Sequence, residues 1–183
     1  MTSWIACAFL GLALAAAGPA LAADQAVPNW PMSQSRTITD NAEAAEGFST
    51  LVSAMTQTDI ARLLQEPGPF TVFAPADAAF AKLSPQRMQT LMHPDNRSEL
   101  ARLLGAHVVR GKMSSPILTA MARASAHGGY RMYTVSGDFL LLRPRDGKLW
   151  LRDEHGSVGL ITMTDISQSN GVIHVVDTVL VPF

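Results

Sequence analysis

Residues 169–183 read "SNGVIHVVDTVLVPF", and the interpretation of this stretch decides the fold. Asn170-Gly171 is a favoured turn pair, and it introduces a run from 172 to 181 with only three polar residues, His174, Asp177 and Thr178. Alternation of apolar and polar residues marks a strand with one wet face, and here it is nearly absent. The run therefore predicts a strand covered on both faces. A histidine inside such a strand must be hydrogen-bonded, catalytic or metal-bound.

Upstream of this run, "YRMYTV", "DFLLLRP", "KLWLRD" and "VGLITM" are further strand candidates, separated by Gly- and Asp-containing turns from Tyr130 onward. The first half reads differently. Phe48, Leu51, Val52 and Met55 fall at helical spacing, and Ile60, Leu63 and Leu64 repeat it. Pro67-Gly68-Pro69 stops the helices and "FTVFAP" follows as a short buried strand. Ser84-Pro85 is an N-cap followed by a first-turn proline, Pro94 opens a helix ending near His107, and "SSPILTAMARASA" predicts another. Helices first and strands second give an α+β chain rather than an alternating parallel sheet.

With 183 residues, 48% hydrophobic and 16% charged, the chain suffices for one well-filled domain. Its net charge of −1 gives no bulk electrostatic reason to expect nucleic acid as a partner. Residues 1–22 read as a secretory signal peptide, with an apolar run too short to span a bilayer and an Ala-Leu-Ala cleavage site at 20–22. No Lys or Arg precedes Arg36, which leaves the true translation start open. Cys7 is expected to leave with the signal, so the mature chain has no thiol and no disulfide. A proline-broken linker spans 23–35 and the domain 36–183. Periplasmic or secreted, with no membrane span after cleavage, is the expected location.

Three segments together carry a resemblance. "GPFTVFAPADAAFAKL" (68–83), "LLGAHVVRGKM" (103–113) and "DISQSNGVIHVVDTVLVP" (165–182) resemble, in order and spacing, the signatures of the fasciclin-like domain family. The resemblance implies a β-sandwich with a cluster of helices from the first half of the chain. Ala76 stands where the family usually has Thr, and Ala106 where its Tyr-His pair has Tyr. Residues 153–156 replace a shorter Asn-Gly turn. The family pattern also implies that His107 and His174 are core residues hydrogen-bonded across the motifs, with Thr71 or Asp165 as partners and Asn170-Gly171 as the structural turn.

The metal reading of the histidines lacks a close His-x-His or His-x-x-x-His pair, so no metal and no cofactor is expected. Met88 and Met92, one helical turn apart beside His93, suit either copper or core filling. Asn96-Arg97-Ser98 is a formal glycosylation sequon. In animal members of the family an Asp-Ile pair is linked to receptor binding; Asp165-Ile166 match it, although an Asp at a turn entry has a local explanation as well. A further candidate comes from the residues alone. Asp146-Gly147 suits a two-residue hairpin that would set Arg145 opposite Lys148, Arg143 opposite Trp150 and Leu141 opposite Arg152 on one face. Leu140, Leu142, Leu149 and Leu151 would face the core. Arg143 over Trp150 would form a cation–π pair, whereas Arg145 beside Lys148 is unfavourable and hints at an acidic partner such as an anionic polysaccharide. The plainer alternative is a solvated face with a snorkelling Trp.

The expected function is an exported, non-enzymatic adhesion or matrix-interaction module. Its partner would be a cell-surface or matrix protein or glycan, including a second copy of itself. A periplasmic small-ligand or metal-binding protein is the alternative. No G-x-S-x-G, H-E-x-x-H or phosphate-loop pattern supports an enzyme.

Overall fold

The computed structural model describes residues 33–125 and 129–181. The expected signal peptide with Cys7, residues 23–32 of the linker, and His127 lie outside the described residues. Helices α1 (Ile38–Ala44), α2 (Ser49–Thr56) and α3 (Ile60–Leu63) precede strand β1 (Phe70–Pro75). Then come α4 (Asp77–Phe80), α5 (Pro85–Leu91), a 3-10 turn at Pro94–Asn96, α6 (Arg97–Gly105), β2 (Val108–Arg110) and α7 (Ser115–Ala124). The remainder is β3 (Tyr130–Tyr133), β4 (Phe139–Arg145), β5 (Lys148–Arg152), β6 (Val158–Gln168) and β7 (Gly171–Val176). The architecture is α+β.

Local side-chain caps fix the starts of α1 and α5. Thr37 and Asp40 form a capping box on α1. Ser84 caps α5, with Pro85 in its first turn. Helix α2 is capped from a distance: the Asp77 carboxylate accepts from the Ser49 N–H, the Ser49 hydroxyl and the Thr50 N–H at 3.2, 2.8 and 2.8 Å. Burial alone would raise the Asp77 pKa, but these hydrogen bonds outweigh it and hold it below the ordinary carboxylate value. Helix α4 starts on Ala76, whose backbone has cap geometry but whose side chain caps nothing. Ala76→Thr is therefore expected to stabilise the domain by about 1 kcal/mol, or roughly 2–4 °C in melting temperature. An unchanged melting curve would show that the cap is not limiting.

The seven strands form one hydrogen-bonded ribbon in the order β2-β1-β7-β6-β5-β4-β3. The β1–β7 pair is parallel, and all other neighbours are antiparallel. The two ends of the ribbon meet where Val109 bridges Thr134 and the Val135 N–H donates to the Val108 carbonyl at 2.8 Å. The ribbon thus folds back on itself as a sandwich. Phe70, Val72, Ala74, Ile173 and Val175 pack against the helical layer built from α1, α2, α4, α5 and α6. Phe73 and Val176 point the other way, into a second core with Leu140, Leu142, Leu149, Leu151 and Leu118 of α7. Every residue of β1 and β7 is buried because each strand is covered on both sides.

Two strand boundaries differ from the sequence expectation. Strand β7 ends at Val176 rather than running to 181. The chain bends at Asp177, whose carboxylate takes the Leu160 N–H at 2.8 Å. Val179 and Leu180 stay buried after the ladder ends, so the apolar run outlasts the strand. Strand β6 does not stop at Met163 but continues to Gln168. Register shifts between Ile161 and Ile166 let it pair with β5 at one end and β7 along the rest.

Candidate functional site

The expected hairpin is present with the expected register: Leu141 faces Arg152, Arg143 faces Trp150 and Arg145 faces Lys148. Asp146 and Gly147 have φ of 53° and 74°, the positive pair that a two-residue hairpin of this hand requires. Leu140, Leu142 and Leu151 are fully buried and Leu149 nearly so. At roughly 1.5–3 kcal/mol per buried leucine, these four side chains decide which face points inward, and the cations are left outside.

The neighbouring strands extend this outer face beyond the hairpin. Arg131 lies opposite Leu141, Tyr133 opposite Phe139, Val158 opposite Arg152, and Leu160 opposite Trp150. Tyr133 is 67% and Val158 48% exposed, two of the three exposed large hydrophobics among the described residues. Leu141, Arg143, Trp150, Arg152 and Val158 line an open depression of about 460 Å³. The sequence reading missed Arg131, Tyr133, Phe139 and Val158; the alternation in "YRMY" was the signal that could have found the first two.

Charge on this face is largely uncompensated. Arg145 Nε lies 3.4 Å from Asp146 Oδ2, both side chains being widely exposed, so the pair adds little stability. Among the described residues, Arg143, Lys148 and Arg152 form no ion pair. The expected stacking of Arg143 on Trp150 does not occur. The cation–π contact here is instead Arg131 over Phe139, at 4.1 Å from the ring centroid. Strand register places Arg143 beside Trp150 but does not choose the rotamer that would stack them.

Both core histidines are fully committed to backbone groups. His107 Nδ1 donates to the Leu103 carbonyl at 2.8 Å and Nε2 accepts from the Leu180 N–H at 3.0 Å. His174 Nε2 donates to the Met113 carbonyl at 2.9 Å and Nδ1 accepts from the Asp165 N–H at 3.2 Å. Its ring stacks on Phe73, with centroids 5.6 Å apart. Burial drives the His107 pKa down to about 4, against the pull of the Leu103 carbonyl and Asp153. Burial lowers His174 as well.

The expected histidine partners are corrected in detail. Thr71 bonds to neither imidazole; its hydroxyl donates to the Gly111 carbonyl at 2.6 Å and accepts from the Met113 N–H at 2.9 Å. Asp165 reaches His174 through its backbone, not its carboxylate. That carboxylate accepts from the Ser115 N–H at 2.6 Å and from the Ser115 hydroxyl, at the start of α7. Burial would raise the Asp165 pKa, but the Ser115 bonds hold it below the ordinary value. Ile166 is 7% exposed and belongs to the helical-side core. Of the Asp-Ile pair, then, one side chain is engaged and the other buried.

The remaining candidates resolve into packing. Met88 and Met92 pack against the helical-side core, and His93 Nδ1 accepts from the Asp95 N–H at 3.3 Å. Among the described residues, no group of three or more His, Cys, Asp or Glu could hold a metal ion. Asp153 is buried, and its carboxylate accepts N–H groups from His155, Ser157 and Val181. Asn170 is not merely a turn residue: its side chain is buried and bonds to three backbone groups. No helix among the described residues is long and apolar enough to cross a membrane.

Comparisons with known proteins agree with this geometry. The family model of the fasciclin domain matches residues 46–182. Protein sll1483 of Synechocystis sp. is 36% identical over 146 residues, covering 80% of this chain and 73% of that protein. Human periostin is 28% identical over 146 residues, but the match spans only 16% of its length. Among solved structures, a FAS1 domain pair from the insect cell adhesion molecule fasciclin I superposes with a TM-score of 0.68. That match has 18% sequence identity and covers 80% of this chain and 51% of the other. A family match over residues 46–182, together with 36% identity to a relative covered over 73% of its length, places the chain in the fasciclin domain family.

Proposed function

We propose that the protein is an exported, non-enzymatic adhesion or matrix-interaction module that engages a cell-surface or matrix partner through the outer face of β3–β6. The observation that carries this reading is a contrast within the molecule. The buried histidines, and the carboxylates of Asp77, Asp153, Asp165 and Asp177, each bond to backbone groups that hold the fold. Arginines, a lysine and aromatic rings on the outer face are left toward solvent. An insect cell adhesion molecule built from the same fold supports the adhesion class. The signal-like residues 1–22 support export. The outer face ranks ahead of Asp165-Ile166 as the contact surface, since those two side chains are already occupied by Ser115 and the core.

The test is retention of whole cells and of cell-derived matrix on surfaces coated with the purified chain. Retention above that on an albumin coat is expected, and it should fall in an Arg143→Gln/Trp150→Leu variant whose melting temperature is unchanged. Retention equal to albumin on every surface would reject the adhesion reading. Retention that survives the double variant would move the contact away from this face.

A further inference from the structure

The outer face carries more cationic charge than its fold requires. Arg131, Arg143 and Arg145 project from β3 and β4, and Lys148 and Arg152 from β5, all on the side away from the leucine core. Residues two apart on a strand are about 7 Å apart, and neighbouring strands about 4.8 Å, so the five cations share a patch of roughly 10 by 14 Å. Carboxylates touch only its margins: Asp146 beside Arg145, and Glu154, which accepts from the Phe139 N–H at 2.8 Å. Like charges directly opposite across a strand pair, as at Arg145 and Lys148, are destabilising. Among the described residues Lys148 has no ion pair, and Arg145 has only its exposed contact with Asp146. The whole chain carries a net charge of −1, so this concentration is local.

We propose that this face binds an anionic polysaccharide of the polyuronate type, a proposal that rests on the adhesion reading above. Four of the five cations are arginine, whose planar fork takes a carboxylate through two parallel hydrogen bonds and is less strongly hydrated than an ammonium. Between them lie flat apolar surfaces: half-buried Trp150, Leu141, and the exposed Tyr133 and Val158. Sugar rings present C–H faces that pack on such surfaces while their carboxylates reach outward to the guanidinium groups. The depression between Arg143, Trp150 and Arg152 is open rather than enclosed, which suits a chain passing across the face and not a ligand swallowed whole. Single-stranded nucleic acid also pairs cations with aromatic rings. It is disfavoured here because nucleic-acid binders rely on a strongly basic domain for capture, and this chain carries a net charge of −1.

The test is the affinity of the purified full chain for polygalacturonate, with dextran, a dT20 oligonucleotide and anionic phospholipid vesicles as comparison probes, in 25 and 300 mM salt. Polygalacturonate is expected to bind best, to weaken at the higher salt, and to lose at least about tenfold in affinity in Arg143→Gln/Arg152→Gln, since losing even one of the two charge-assisted pairs is on that scale. Arg36→Gln/Arg62→Gln makes the same change in net charge away from this face and should leave binding within about twofold of the wild type. Trp150→Leu should weaken binding at both salt concentrations, because ring packing is not screened. Equal losses in the two arginine doubles would overturn the site. Tighter binding to dT20 or to vesicles, or no binding to polygalacturonate, would overturn the ligand class. Cell retention that persists while polygalacturonate fails would sink this proposal and leave the adhesion reading standing.

Discussion

Replacing His107 with phenylalanine is expected to cost the domain about 2–5 kcal/mol at neutral pH and to flatten much of its acid sensitivity between pH 6.5 and 4. Phenylalanine fills a similar volume but leaves the Leu180 N–H and the Leu103 carbonyl without their buried partner. Each such orphan costs about 1–3 kcal/mol. The pH dependence follows from the depressed pKa, about 4 in the fold against the ordinary 6.5. Between those values the unfolded chain holds a proton that folding must expel. Stability is therefore complete above pH 6.5 and declines as pH falls toward 4, by about 3 kcal/mol for His107. His174 acts in the same direction, so the variant keeps part of the slope. Asp77, Asp138, Asp165 and Asp177, all held below the ordinary carboxylate value, add their losses only at more acid pH. Urea unfolding of both proteins at pH 7 and 4.5 measures the difference. A variant with the wild-type slope would mean that His107 is not the group being titrated.

The sequence made local geometry legible and left long-range partners hidden. The β4–β5 register could be read because Asp146-Gly147 admits one kind of turn and the leucine alternation admits one inward face. The double coverage of β7 could be read because its apolar run does not alternate. The full course of β6 could not. Its second half pairs with β7 only because the ladder shifts between Ile161 and Ile166, near Asp165 with φ at 63°. That conformation is held by Ser115, fifty residues earlier in the chain. Which carbonyl receives each histidine proton was equally invisible, since Met113 lies 61 residues from His174. The outer face was half legible: the cations of β4 and β5 were, but Arg131, Tyr133 and Val158 join it across the connections 134–138 and 153–157, which contain no two-residue turn to fix a register.

Asn170→Ala is expected to destabilise the domain by about 3–5 kcal/mol, far more than loss of a surface turn residue. The Asn170 side chain joins three separate parts of the fold. Its Oδ1 accepts from the Ile38 N–H at 3.0 Å, at the start of α1. Its Nδ2 donates to the Leu64 carbonyl at 2.6 Å and the Glu66 carbonyl at 3.1 Å, where α3 gives way to β1. Its own carbonyl takes the Phe70 N–H at 3.0 Å, and so begins the parallel β1–β7 pairing. Alanine keeps only that last bond and leaves the N–H and both carbonyls facing a methyl group. The neighbouring Gly171 leaves no slack for repacking, because a Cβ there would sit 2.1 Å from the Phe70 carbonyl oxygen. Asn170→Asp separates the two halves of the clamp. It retains the acceptor for Ile38 but turns a carboxylate toward the two carbonyls, an arrangement that raises its pKa. At pH 7 the Asp variant should be at least as unstable as the Ala variant. As pH falls and the carboxyl gains a proton it can donate, its deficit relative to wild type should shrink, whereas that of Asn170→Ala should not. Parallel pH profiles for the two variants would show that the donor half of the clamp contributes nothing, and would leave the fold's dependence on Asn170 to its bond with α1 alone.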